Sequence, residues 1–143
     1  MSIFEASRSP WTARMQSILR IVSGLVFVTA GTSKMFGFPP FPADVPTMPS
    51  TPMWEVQVAA YLEVYLGGLF ALGFLTRPIA LILAGEMAVA YFQVHYQLSF
   101  WPTTNWGTPP VLHCFIFLYF VFAGAGPWSI DAMIARSKGG SAT

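Results

Sequence analysis

Six ionisable side chains lie within or beside apolar stretches of the chain: Arg20, Lys34, Glu63, Glu86, His95 and His113. An ionisable group in such a stretch needs a charged partner, a hydrogen bond or a functional role. One combination suits quinone chemistry, with Lys34 and His95 donating hydrogen bonds to the carbonyl oxygens while Glu63 relays protons. These three residues form the candidate quinone and proton site, and no residue is assigned a catalytic role.

A second combination is ion pairing inside the apolar region. Arg20, Lys34 or a histidine could pair with Glu63, and Glu86 is a further candidate for pairing with Arg20; such a pair would fix the register of neighbouring helices. Arg20 and Lys34 could instead extend towards opposite ends of the first helix. Because an isolated buried charge is costly, we expect Glu63 to lie within hydrogen-bonding distance of a polar group on the first or third helix.

The two histidines fall at similar depths on consecutive helices, so they could ligate a haem or a metal ion. Such a coincidence is common in helical bundles, so no metal site is predicted and His113 is interpreted as a hydrogen-bonded structural residue. Glu86 and His95 lie nine positions apart, which places them on opposite faces of one helix. Either face could point inward, and the partner of Glu86 could belong to another chain.

The composition indicates that these residues sit in a membrane protein. Of 143 residues, 55% are hydrophobic and 9% are charged, whereas soluble domains carry about a quarter charged residues. A net charge of +1 argues against binding to nucleic acid, which needs clustered basic residues. The single cysteine, Cys114, excludes an internal disulfide and a dithiol mechanism within the chain.

Four segments approach the length of about 20 apolar residues that a membrane span needs. The predicted helices cover about residues 15–36, 54–75, 78–98 and 110–125, and the short fourth helix indicates tilt or a thin bilayer. We therefore predict an all-α fold, a four-transmembrane-helix bundle in which residues 1–143 form one membrane domain. A Pro-rich loop at 37–53, a tight turn at Thr76 and Arg77 and a short C-terminal segment at 129–138 complete the prediction.

Basic residues set the expected orientation of the bundle. Apart from Lys34 at the end of the first helix, the basic residues outside the spans are Arg8 and Arg14 before the first helix, Arg77 between the second and third, and Arg136 and Lys138 after the fourth. All of them fall at one end of a four-span bundle. The positive-inside rule therefore predicts that this end, with both termini, faces the cytoplasm.

The order and spacing of several short patterns resemble the DoxX family over about residues 15–131. The patterns, from the first helix to the closing segment, are Arg20-x3-Gly24-x6-Gly31-x2-Lys34, Glu63-x3-Gly67-Gly68, Gly73-x2-Thr76-Arg77, Met87-x2-Ala90-x4-His95 and Gly124-x-Gly126-x2-Ser129-x-Asp131.

The resemblance implies a four-helix protein of a bacterial or archaeal cytoplasmic membrane, in contact with lipids and with other membrane or redox subunits. Members of the family are associated with quinone-linked thiosulfate oxidation and with oxidative-stress assemblies. The chain departs from the family in its long Pro-rich loop and in Thr108-Pro109-Pro110, which lacks an acidic residue expected there; Glu86 also lies outside the family's polar pattern. That pattern matches Arg20, Lys34, Glu63, Arg77 and His95.

Two functions follow as hypotheses. The chain is either a quinone-interacting subunit that receives electrons from a partner, or a non-catalytic accessory subunit that stabilises a larger membrane assembly. The sequence contains no metal-ligand set, flavin motif or dithiol, so quinone is the one cofactor considered. A transporter has no support, because neither an inverted repeat nor a pair of broken helices is found.

Overall fold

The computed structural model describes residues 9–43 and 51–139. These residues form helices and no strands, and the first three helices are long and apolar enough to cross a membrane. The fourth is a shorter apolar helix. The prediction of a helical membrane bundle is therefore confirmed. The helices are α1 (Pro10–Phe36), α2 (Met53–Leu72), α3 (Thr76–His95), α4 (Thr108–Ala123) and α5 (Ile130–Gly139).

Local capping extends α1 beyond its predicted start. Its first residue is Pro10, and the Ser9 side chain accepts a hydrogen bond from the Trp11 N–H at 3.3 Å. Proline is favoured in the first turn of a helix because its missing N–H would have no partner there. The apolar pattern that predicted a start near residue 15 therefore missed about one turn of the helix.

The connection between α2 and α3 lies at residues 73–75. Gly73 has a left-handed conformation with φ 73°, which ends α2, as glycine commonly does after a helix. Leu75 is also left-handed, with φ 48°. The prediction of a turn at Thr76 and Arg77 was wrong, because these residues form the first turn of α3.

The four apolar helices pack as two pairs, α1 with α2 and α3 with α4. An aromatic core joins the pairs. Phe70 of α2 meets Phe117 and Phe120 of α4 edge to face, each at 5.1 Å between ring centroids, and Phe27 of α1 meets Phe117 at 5.0 Å. Leu83 of α3 is fully buried in the same cluster.

Small residues bring α1 and α2 together. A Cβ atom at Gly31 would lie 2.7 Å from Cγ2 of Val64, and one at Gly24 would lie 2.7 Å from Cβ of Ala71. Both distances are shorter than real carbon contacts, so only glycine permits this approach. Close contact through small residues is a common way for helices to pair in membranes.

Both α2 and α3 contain a π-helical segment, in which the backbone hydrogen bonds span five residues. The segments cover Leu62–Leu66 and Tyr91–His95. Such segments insert an extra residue into a turn and often occur at functional sites. Glu63 lies within the first segment and His95 ends the second.

The two ends of the bundle differ in charge. The end where Arg14, Arg77 and Arg136 lie is called the basic end, and the opposite end is called the loop end. The loop end includes residues 96–107 and the predicted Pro-rich loop, of which residues 44–50 lie outside the described residues. The expected assignment of the basic end to the cytoplasm stays a prediction.

Candidate functional site

A salt bridge joins α1 to α2. Lys34, near the end of α1, pairs its Nζ with Oε1 of Glu63 in the π-helical segment of α2. The Glu63 side chain is 2% exposed and that of Lys34 is 27% exposed. The polar partner that we expected for Glu63 on the first helix is therefore Lys34, and the close approach at Gly31 brings the two helices within reach.

A second carboxyl group approaches the same place from α3. Glu86 interacts electrostatically with Glu63 and Lys34. Both carboxyl oxygens of Glu86 and Oε2 of Glu63 are buried without a hydrogen-bond partner among the described residues. Lys34 is bonded to Glu63, and Glu86 lies close enough to interact with the charges of both without a hydrogen bond to either.

The Glu86 face of α3 points towards α2 within the same chain. Glu86 itself interacts with Glu63 of α2. Two turns further along the same face, Gln93 donates a hydrogen bond from Nε2 to Glu55, also of α2.

The sequence left open which face of α3 points inward. The buried Ala84 and Tyr91 show that the face aligned with His95 packs into the core, while the Glu86 face is only partly buried. The structure gives Glu86 neighbours within its own bundle rather than requiring a partner in another chain.

The fourth helix adds His113, which interacts electrostatically with Glu63. Its ring lies 5.7 Å from that of Phe27 and 5.9 Å from that of Phe117, and its Nδ1 is 2.8 Å from the carbonyl oxygen of Pro109. Each apolar helix thus contributes one residue to a cluster of Lys34, Glu63, Glu86 and His113, which we call the buried ionisable cluster after its enclosed member Glu63; the other three side chains are partly exposed.

The sequence predicted His113 as a hydrogen-bonded structural residue, which its contact with the Pro109 carbonyl supports, and allowed a histidine as a partner of Glu63, but it did not place His113 on an inward face. The available signal was its spacing on α4, because Phe117 and Phe120, both fully buried, lie four and seven positions further on and so share its face. That spacing places the imidazole on the inward side of the helix.

His95 lies elsewhere, in contact with the loop that follows α3. Its Nδ1 is 2.9 Å from the carbonyl oxygen of Asn105. The Asn105 side chain is fully buried, donates to the Ser99 carbonyl at 2.7 Å and accepts from the Gly107 N–H at 2.7 Å. Of the candidate quinone and proton residues, the structure brings Lys34 and Glu63 together and places His95 in a loop-holding network.

Arg20 is also separate from the buried ionisable cluster. It is 1% exposed, and its guanidinium donates to the carbonyl oxygens of Ala71 at 3.2 and 3.3 Å, of Trp128 at 2.6 Å and of Ala125. Its electrostatic partner is Asp131. The structure therefore places Arg20 with these groups instead of with Glu63 or Glu86, and its role there is to tie α1 to the closing segment.

Asp131 joins the closing segment to the connection between α2 and α3. Its carboxylate accepts the N–H groups of Leu75 and Thr76, both at 2.9 Å, and its own N–H donates to the Gly73 carbonyl at 2.9 Å. The carboxylate thus satisfies free N–H groups at the start of α3, where a negative charge is favoured. These contacts give a structural reason for the position of Asp131 at the end of the pattern Gly124-x-Gly126-x2-Ser129-x-Asp131.

The apolar helices and their central charged cluster define a multi-pass helical membrane protein. The family model described as DoxX matches residues 15–96. A protein of Haemophilus influenzae, described only as an uncharacterized protein, is 38% identical over 118 residues, which cover 80% of this chain and 87% of that protein. The chain belongs to the DoxX family, as its sequence patterns indicated. No solved structure matches it.

The residues matched by the family model include most members of the buried ionisable cluster but not all of them. Lys34, Glu63 and Glu86 lie inside residues 15–96. His113 and the closing segment with Asp131 lie beyond that range. Three of the four members of the buried ionisable cluster are therefore carried by the part of the chain that defines the family.

Proposed function

We propose that this protein is a membrane subunit of a quinone-linked redox complex in a bacterial or archaeal cytoplasmic membrane. The buried ionisable cluster is the proposed site for the quinone headgroup and its protons. One observation carries the proposal: four helices converge with one lysine, one histidine and two carboxyl groups, and three carboxyl oxygens have no hydrogen-bond partner among the described residues. Intramembrane ionisable groups generally mark functional sites.

The side chains present fit the needs of a quinone. Reduction to a quinol takes two electrons and two protons. The Lys34 ammonium has three donors, of which the salt bridge uses one, so it can also donate to a quinone carbonyl. A carboxyl group at Glu86 can supply and recover a proton beside it. The two electrons come from a partner subunit, because the sequence contains no metal-ligand set, flavin motif or dithiol that could carry them.

The position of Lys34 favours access from the membrane. Lys34 lies two residues before the end of α1 at the loop end, and its side chain is partly exposed whereas Glu63 is enclosed. A quinone with its tail in lipid can therefore meet Lys34 first and the carboxyl groups behind it. With the basic end in the cytoplasm, this entry lies in the outer half of the bilayer.

Quinone retention by the purified chain tests the proposal. The protein is reconstituted with ubiquinone or menaquinone, repurified, and the extracted quinone is measured per mole of protein. We expect retention by the unaltered chain and at least a tenfold loss in Lys34→Met and in Glu86→Gln. Lys138→Met, which removes a lysine at the basic end, is the matched control. No retention by the unaltered chain, or equal retention by all variants, contradicts the proposal.

The accessory-subunit hypothesis has one observation in its favour. Arg20 and Asp131 form a network devoted to holding backbone segments together, as a scaffold requires. Quinone reduction by membranes that carry the assembled complex separates the two functions. Unchanged turnover and normal assembly with Lys34→Met, Glu63→Gln and His95→Phe would leave the accessory role as the remaining hypothesis.

A further inference from the structure

A cavity of about 480 Å³ opens at the basic end, remote from the buried ionisable cluster. It lies where α3 begins, α4 ends and α5 begins. Arg77 of α3 and Asp131 of α5 both line it, together with backbone around Gly124. The cavity therefore presents one cationic and one anionic side chain, and no salt bridge joins these two within the described residues.

Arg77 keeps most of its hydrogen-bonding capacity. Its Nη1 donates to the Val121 carbonyl at 3.3 Å, and the rest of the exposed guanidinium lies over Gly124. Gly124 has φ 78°, a conformation that favours glycine and leaves the backbone bare beneath the guanidinium. A guanidinium has five N–H donors, arranged to bind phosphate oxygens in pairs.

Asp131 keeps accepting capacity as well. Each carboxylate oxygen accepts one backbone N–H, from Leu75 or Thr76, and has a second lone pair. A ligand ammonium group can therefore bind Asp131 without displacing either helix-capping hydrogen bond. Arg20 already interacts with this carboxylate from inside the bundle; a ligand that carries only negative charge would add an anion on the cavity side and offer no donor to its remaining lone pairs.

The surroundings point to a lipid as the source of the ligand. Leu75, which lines the cavity, is 53% exposed, and Trp128, the chain neighbour of the lining residue Ser129, is 51% exposed. The ends of membrane-spanning helices lie at the headgroup layer, where tryptophan is enriched. Apolar side chains at the mouth of the cavity offer a surface for acyl chains.

We infer that this cavity binds the headgroup of a phospholipid that carries a phosphodiester and a primary ammonium, as in phosphatidylethanolamine. The phosphate binds Arg77 and the ammonium donates hydrogen bonds to Asp131. Phosphatidylcholine should bind more weakly because its choline group has no N–H to donate to Asp131. Phosphatidylglycerol should bind more weakly because its headgroup has no cation to pair with Asp131. The inference is independent of the proposed quinone function.

Lipid titration of the purified protein, followed by native mass spectrometry, tests this site. Phosphatidylethanolamine, phosphatidylcholine and phosphatidylglycerol with identical acyl chains are compared. We expect phosphatidylethanolamine to bind at least tenfold more tightly than the other two. Arg77→Gln should abolish that preference, whereas Arg136→Gln, at the same end but outside the cavity, should preserve it.

The outcomes are distinct. Equal binding of the three lipids, or tighter binding of phosphatidylglycerol, overturns the inference, and so does an unchanged preference in Arg77→Gln. Because Arg77→Gln can fail to fold, the comparison of lipids on the unaltered protein stands as a test by itself. Soluble glycerophosphoethanolamine, which has the same headgroup without acyl chains, is also titrated. If it binds as tightly as the lipid, the ligand is a soluble phosphodiester with an ammonium group, and the assignment to a membrane lipid is overturned.

Discussion

Lys34 and Glu63 form a salt bridge whose partners differ greatly in exposure, 27% for Lys34 and 2% for Glu63. The lysine reaches inward from near the end of its helix, and the carboxylate is enclosed by the bundle. Removing the lysine would leave a buried carboxyl group without its cation, whereas the lysine can turn towards the membrane surface if the carboxylate is removed. Loss of Lys34 should therefore destabilise the protein more than loss of the Glu63 carboxylate.

Lys34→Met should lower the free energy of unfolding by about 3–5 kcal/mol, the range for breaking a buried pair from one side. The double variant Lys34→Met/Glu63→Gln should recover most of that loss, because the enclosed carboxyl group of Glu63, which had lost its cation, is gone as well. Thermal unfolding in detergent measures both, with Lys138→Met as the control at the basic end. If the double variant is no more stable than Lys34→Met, the salt bridge does not stabilise the fold in the way described.

The glycine contact between α1 and α2 gives a matched pair of alanine substitutions. Gly31→Ala places a Cβ 2.7 Å from Val64, whereas a Cβ at Gly85 on α3 meets nothing within 4 Å. We expect Gly31→Ala to destabilise the protein by about 1–3 kcal/mol, as overpacking does. Gly85→Ala should be neutral or stabilising by up to about 1 kcal/mol, because alanine favours helix more than glycine does. Equal melting temperatures for the two variants would contradict the close helix contact.

Arg20→Lys tests the network at the basic end. A lysine cannot reproduce the planar guanidinium fork that binds three carbonyl groups at once. Since hydrogen bonds to charged groups contribute about 1.5–3 kcal/mol each, we expect a loss of at least about 2 kcal/mol. Arg14→Lys, at an exposed position of the same helix, serves as the control in the same unfolding measurement. Stability equal to that of the unaltered protein would show that the carbonyl contacts of Arg20 are dispensable.

Periodicity and composition predicted the elements of the fold well, because a bilayer requires long apolar helices and the chain has few charged residues. Helix ends were less predictable. The start of α1 depends on capping by Ser9, and the end of α2 depends on the left-handed conformation of Gly73. Both the capping hydrogen bond and the left-handed backbone conformation are local features that cannot be predicted from the spacing of apolar residues.

The candidate site was predictable only in part, since it depends on which helix faces meet. The polar stripe of α1 and the central position of Glu63 indicated a pairing, and the structure supplies Lys34 as the partner. Arg20 matched the same stripe, yet it binds carbonyl groups of the closing segment. That segment approaches α1 from more than a hundred residues away, and no spacing within one helix reveals such a contact.

Topology is the most direct test of the predicted orientation. Reporter fusions at Ser141 and at Pro46 should give cytoplasmic and periplasmic signals respectively, because Arg14, Arg77 and Arg136 lie at the basic end. Insertion of two lysines next to Pro46 would weaken the charge asymmetry and serves as a control for the mechanism. A cytoplasmic signal at Pro46, or a periplasmic signal at Ser141, contradicts four spans with both termini inside.

Glu63→Gln and Glu86→Gln form the sharpest comparison within the buried ionisable cluster, because both keep the side-chain volume. Glu63→Gln removes the counter-charge of Lys34 and should destabilise the protein by about 1–3 kcal/mol. Glu86→Gln removes a carboxyl group that has no hydrogen-bond partner among the described residues and lies near another carboxyl. Its unfolding free energy should therefore stay within about 1 kcal/mol of the original value.

The same variant separates stability from function. If Glu86 serves the quinone and its protons, Glu86→Gln should fold normally and yet lose retained quinone, a combination that a purely structural residue would not produce. Unfolding and quinone content are measured on one preparation, so that a loss of folded protein cannot imitate a loss of binding. A strongly destabilised Glu86→Gln would instead show that this carboxyl group is a structural partner of Glu63 and Lys34.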